Sequence, residues 1–155
     1  MESEKDILEQ LAEEERELGF TTFSIAKGQQ IGAALQQVAI KESLPIAIDV
    51  TRNRQCLFHC AMEGASIDNA EWIVRKNRVA HRFGHSSLYM GTLCRVNGVV
   101  LEEKYQLPAN TYAPFGGSFP IRIKETGVIG TVAISGLPQS EDHALMVKTI
   151  RENLE

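Results

Sequence analysis

No stretch of this 155-residue chain approaches the ~18 consecutive apolar residues that a membrane-spanning helix needs. Its first twenty residues are acidic rather than basic and then apolar. Both absences argue against a membrane protein and a secretory signal, and make the cytoplasm the expected compartment. Cysteine is scarce: Cys56, Cys60 and Cys94 are an odd number with no CxxC pair. A disulfide framework and a zinc cage are therefore not expected, and free, mostly buried thiols in a reducing compartment are. Also missing are a GxSxG elbow, an HExxH metal motif, a Walker loop and a GxGxxG turn in a βαβ context. No internal repeat, low-complexity tract or linker divides the chain, so residues 1–155 read as a single domain. An apolar share of 43% lets a chain of this length bury a real core without metal or disulfide.

Charge is present but unevenly placed. The net charge is −4, yet residues 2–17 hold eight acids and two bases, a local −6. Between Trp72 and Leu101 there is no acid at all, against Arg75, Lys76, Arg78, Arg82 and Arg95. One basic sector on an acidic protein suits a small anionic ligand better than nucleic acid, which wants a broader basic face.

Apolar spacing predicts the elements. "SEKDILEQLAEEERELGF" reads as an acidic amphipathic helix over residues 1–18, with Ser3 as N-cap and Gly19 as its stop. "AKGQQIGAALQQVAIKES" is a second helix that ends before Pro45. The runs 46–51 and 56–62 flank the four-residue turn 52–55 and predict a hairpin. Strict alternation puts Cys56, Phe58, Cys60 and Met62 on one face of its second strand, with His59 on the other. Whether His59 meets Asp49 depends on a register that the turn leaves open. Two further helices follow, one capped by Ser66 and ended or kinked by Gly84, the other stopping at Asn97-Gly98. Residues 102–115 read as loop. "GGSFPIRI" and "GVIGTVAIS" predict a second hairpin, and a last helix runs from about Glu141 to Leu154. The expected class is α+β, an antiparallel sheet from two hairpins flanked by helices.

Three places can carry chemistry. If Ser140 caps the last helix, Glu141, Asp142 and His143 occupy its first turn. The helix end favours the acids but not a protonated imidazole. His143 also lies on the stripe with Val147, Ile150 and Leu154, so it should point inward and be biased towards neutral. It is either a satisfied core histidine or, with Asp142, a catalytic or metal-ligating group. On the long helix, Arg75 and Arg78 can clamp a carboxylate or phosphate, and His81 and His85 have the spacing of two imidazoles that share a metal. A plain solvated basic face is the alternative. Gly116, Gly117 and Ser118 can offer N–H groups to an anion as a nest does, or form only a tight turn.

Taken together, "FHCAMEGASIDNAEWIVRKNRVAHRFGHSSLYMG" and "GGSFPIRIKETGVIGTVAISGLPQSEDH" resemble a family grouped with the haem-degrading domain, the GlcG/HbpS-like proteins. The resemblance spans about residues 20–152. It implies a profilin-like fold, a homo-oligomer, and haem or iron binding with haem breakdown or redox sensing in some members. It also implies a pocket-forming corner at Gly116, Gly117, Pro120, Gly136, Asp142 and the neighbouring His143. The bulky basic run "EWIVRKNRVAHRFGHSS" departs from the wider family's small-residue pattern there. Its arginines can hold haem propionates or a small phosphorylated or carboxylated molecule. Three functions therefore compete: a haem- or metal-binding protein, an oligomeric small-anion binder or enzyme, and a non-catalytic scaffold docking through its acidic first helix.

Overall fold

The computed structural model describes residues 2–154. In chain order the elements are α1 (Glu4–Glu17), β1 (Gly19–Phe20), α2 (Ile25–Glu42), β2 (Ala47–Arg52), β3 (Gln55–Ala61) and α3 (Ile67–Phe83). Then follow α4 (Ser87–Asn97), α5 (Leu101–Tyr105), β4 (Ser118–Ile123), β5 (Gly127–Ser135) and α6 (Gln139–Glu152). The strands form one sheet in the order β1-β4-β5-β2-β3. Both expected hairpins are present, and β5 pairs antiparallel with β2 to join them. The unforeseen strand is β1, two residues long and parallel to β4. The fold is α+β, as the element pattern predicts.

The alternation along each strand assigns the helices to their layers. Ile48, Val50, Phe119, Ile121, Val132 and Ile134 enter the main core together with Ile31 and Leu35 of α2 and Met146, Val147 and Ile150 of α6. On the opposite face Ala47 and Ala133 meet Ile73 of α3. A satellite cluster of Val79, Met90, Cys94 and Leu101 ties α3, α4 and α5 together. The segment read as loop, residues 102–115, therefore begins inside the one-turn helix α5, whose first residue Leu101 is buried. Five residues are too few for a periodicity to show.

The first hairpin corrects two expectations. Its connection is two residues, Asn53 and Arg54, with φ of 49° and 66°, the left-handed pair of a tight hairpin turn. The register is fixed, with Asp49 opposite His59, but it shifts by one residue between Val50 and Thr51. This bulge ends the alternation that grouped Cys56 with Phe58. The Cys56 thiol consequently lies on the Asp49 side, with Sγ 3.9 Å from Oδ1.

Helix α1 begins at the expected N-cap Ser3, which forms a capping box with Asp6. Its acidic face is partly occupied within the chain. Glu15 accepts the Ser86 N–H at 3.0 Å, so a carboxylate from α1 sits at the N-terminus of α4. Glu4 pairs with Arg95, and Glu17 with Arg151.

Candidate functional site

Every strongly polar side chain buried in the sheet lies on the α3 side. Asp49, 9% exposed, is the hub. Its Oδ2 accepts hydrogen bonds from the Thr51 hydroxyl (3.0 Å) and the Asn77 amide (3.3 Å), and its Oδ1 lies 3.2 Å from Nδ1 of His59. Ser118 donates its hydroxyl to Oδ1 of Asn77 at 2.7 Å, which links the second hairpin to the first through α3. A carboxylate on Nδ1 fixes the orientation of an imidazole and leaves its Nε2 outward.

Two hollows open on this side. The first, about 430 Å³, is a half-open groove lined by Thr51, Arg54, Asn77, Arg78, His81, Arg82, Tyr112, Gly130 and Thr131. Arg78, His81 and Arg82 follow the i, i+3, i+4 spacing that places side chains on one helical face. Arg54 reaches it from the hairpin turn, which the bulge and the tight connection orient. The Arg82 guanidinium donates to the Tyr112 hydroxyl at 3.3 Å, which closes one wall.

The second hollow, about 400 Å³ and more open, lies where α3 meets the start of α6. Its floor holds Lys76 and Asp142, 5% and 1% exposed. Lys76 Nζ is 3.5 Å from Oδ2 of Asp142 and 3.4 Å from the Ile134 carbonyl, both long for charge-assisted contacts. Burial pushes the Asp142 carboxyl up from 3.8 to about 6, against the lowering pull of Lys76 and of the Leu137 and Gly136 N–H groups. Burial likewise lowers Lys76, against the raising pull of Asp142. Trp72 and Phe115, edge-to-face at 5.9 Å between ring centroids, form the aromatic wall.

The structure distributes the sequence-predicted residues over different surroundings. His81 and His85 do not share a face, because Gly84 ends α3 between them at φ 68°. His81 lines the groove, whereas His85 stacks on Tyr89 with its Nδ1 3.0 Å from a Glu15 oxygen. Arg75 and Arg78 also part. Arg78 is exposed in the groove, while Arg75 lies over the Trp72 ring at 4.3 Å, its buried Nε lacking a partner among the described residues. Gly116 and Ser118 are not a free nest. The Gly116 N–H goes to Oε1 of Gln139 (2.9 Å), and the Ser118 N–H to the Ser87 hydroxyl (3.0 Å). Gly117, at φ 140°, serves close approach: a Cβ there would sit 2.5 Å from both Lys76 Nζ and the Ile134 carbonyl oxygen.

Helix α6 starts two residues earlier than a Ser140 cap implies, with Pro138 as N-cap, since the N–H groups of Glu141 and Asp142 bond to its carbonyl. Asp142 and His143 then point to opposite sides. His143 is buried against Phe119, with Nε2 2.8 Å from Oε1 of Glu14 on α1, and it lines neither hollow. Its Nδ1 is buried without a partner among the described residues. Among those residues no group of three or more His, Cys, Asp or Glu is arranged to hold a metal ion, and no helix is long and apolar enough to cross a membrane. Sequence reasoning passed over Asn77, Arg54 and Tyr112 as site residues, and it counted Lys76 only as one charge of the basic sector. Lys76 had a signal: it falls on the Ile73–Val79–Ala80 stripe, where a lysine must be buried.

A family model described as "Haem degrading protein HbpS-like" matches residues 23–151. A UPF0303 protein of Edwardsiella ictaluri is 45% identical over 96% of this chain and 94% of its own length. Another, of Streptomyces coelicolor, is 42% identical over 91% and 89%. The crystal structure of the Ybr137w protein is similar at 33% identity and a TM-score of 0.83, covering 92% of this chain and 85% of that one. A PduOC:heme complex matches at 18% identity and a TM-score of 0.68, covering 84% and 94%, a likeness of fold alone.

Proposed function

The chain belongs to the HbpS-like family of haem-degrading proteins, and from that premise we propose that it binds haem in the groove beside α3. Arg54, Arg78 and Arg82 receive the propionates, and His81 offers its imidazole to the iron. The observation that carries this is the donor set. Three guanidiniums and one exposed imidazole surround a single half-open hollow of about 430 Å³. Guanidinium forks match carboxylates, and neutral imidazole is a common iron ligand. Bound haem would supply a Lewis-acidic, redox-active iron. The chain's own part is to hold the propionates, to present one nitrogen, and to fix Thr51 and Asn77 at the groove floor through Asp49. His59, oriented by the same carboxylate, is the second imidazole on this side.

Hemin titration tests the reading. A saturable Soret shift is expected, lost in His81→Ala, weakened about tenfold or more in Arg78→Ala, and retained in His143→Ala. If His143→Ala abolishes the shift while His81→Ala keeps it, the assignment fails. The Thr131 hydroxyl on the same floor favours a second reading, a small phosphate or carboxylate held by the arginines without iron. In that case inorganic phosphate raises the melting temperature, Arg78→Ala removes the effect, and hemin gives no saturable shift.

Self-association belongs to the same reading. The seven-residue edge strand β3, QCLFHCA, holds no Lys, Arg, Asp, Glu or Pro to discourage pairing. Replacing Cys60 by Lys on that strand should lower the mass measured by light scattering if copies meet along it.

A further inference from the structure

The second hollow is not used by the reading above, and its chemistry differs from that of the groove. Its polar groups are mostly donors with hydrogens to spare. The Lys76 ammonium makes two contacts, both long, so at least one N–H is open. Gln139 uses Oε1 to accept the Gly116 N–H, which leaves its amide hydrogens free of that bond. The Ser135 oxygen accepts from the Asn69 amide at 3.4 Å, so its own hydrogen can point elsewhere. Beside these donors stands the aromatic wall of Trp72 and Phe115, the latter 45% exposed. Arg75 stacked on Trp72 adds a second cation near the rim. The one acid, Asp142, is 1% exposed and already takes the Leu137 N–H.

We infer that this hollow is a binding site for a small planar aromatic carboxylate. Its ring lies against Trp72 and Phe115, and its carboxylate is taken by Lys76, Gln139 and Ser135. Two physical facts carry the argument. A buried ammonium whose only anionic partner among the described residues is 3.5 Å away is poorly compensated, and an incoming carboxylate completes its coordination. A half-exposed phenylalanine against a half-buried tryptophan is apolar surface that a flat ring covers at little ordering cost. Gly117 lets the backbone pack against Nζ from behind the floor, since any side chain there would collide with it.

Trp72 is the chain's only tryptophan, so its fluorescence reports this wall alone. Titration with sodium benzoate should change the emission saturably. Acetate lacks the ring and benzyl alcohol lacks the charge, and each should bind at least about tenfold more weakly. Lys76→Met should abolish the response. Because that variant can fail to fold, Gln139→Glu is the second arm. It keeps the acceptor for Gly116 while setting a like charge against the ligand, and should weaken benzoate about tenfold or more. Arg78→Ala, in the neighbouring groove, should leave the affinity unchanged. A linear, non-saturating response overturns the proposal. So does an equal response to acetate or benzyl alcohol, or a Gln139→Glu protein that binds benzoate as the parent does.

Discussion

On the α2/α6 side of the sheet, Ile48, Val50, Phe119, Val132 and Ile134 are each 0–1% exposed among other hydrocarbon side chains. On the α3 side, the same strands present Ala47, Asp49, Thr51, Ser118, Thr131, Ala133 and Ser135, and α3 answers them with Lys76 and Asn77. One sheet thus carries two kinds of interior. The dry face removes apolar area from water and fills it almost wholly with hydrocarbon, the His143 ring against Phe119 being an exception. The polar face buries little hydrocarbon, holds a connected hydrogen-bond network, and is where both hollows open. Stability belongs mainly to the first face and ligand chemistry to the second.

The largest effect should come from the dry face. Ile48→Ala removes a fully buried side chain between α2 and β5 and should cost about 2–5 kcal/mol in a denaturant titration. Hemin affinity of the folded fraction should stay unchanged. If Thr131→Ala, in the groove floor, cost as much, the contrast between the faces would be broken.

A smaller effect is expected at the Lys76–Asp142 pair. Lys76→Met leaves a buried carboxyl without its cation and should cost about 3 kcal/mol near neutral pH. Asp142 already stands at about 6, above its ordinary 3.8. A raised carboxyl favours the folded state at low pH, and that contribution is lost as pH rises from about 4 through about 6. Removing Lys76 raises the group further, so the variant should be closest to the parent at pH 5 and furthest at pH 8. The double variant Lys76→Met/Asp142→Leu should recover most of the loss, since apolar replacement of a buried pair is near neutral. A double variant no more stable than the single one would mean that the pair is indispensable to the packing.

The dry face was legible in the sequence because its rules are periodic. Ile31 and Leu35, the two hairpins, and the His143–Val147–Ile150 stripe all follow from spacing, although Ala39 and not Val38 continues the buried side of α2. The polar face was legible only in part. Arg78 and His81 announce themselves by charge and by a shared helical side. Their neighbours in the groove, Arg54 and Tyr112, come from a hairpin turn and from the segment before β4, and no local pattern brings those together. The bulge at Leu57 moved Cys56 across the sheet, and a one-residue shift leaves no mark in composition. His143 shows the limit of periodicity most clearly. Spacing correctly turned it inward, but only the docking of α1, through Glu14, decides what it meets there.

The smallest predicted effect probes the polar network itself. Thr51→Val is nearly isosteric and deletes only the hydroxyl that donates to Oδ2 of Asp49. Losing one hydrogen bond to a charged group should cost about 1.5–3 kcal/mol. Asp49 keeps the Asn77 amide and the His59 ring, however, and Thr51 is half-buried, so bulk water compensates part of the loss. Valine's strand preference and its extra methyl return about 0.5 kcal/mol more. The expected net loss is therefore about 1 kcal/mol, well below that of Ile48→Ala. The informative readout is the Nδ1 and Nε2 resonances of His59, which should shift if Thr51 helps to position the carboxylate. A stability loss with unmoved His59 resonances would make the hydroxyl a contributor to the fold and not to the orientation of the imidazole. That result would move Thr51, chemically, to the dry side of the sheet.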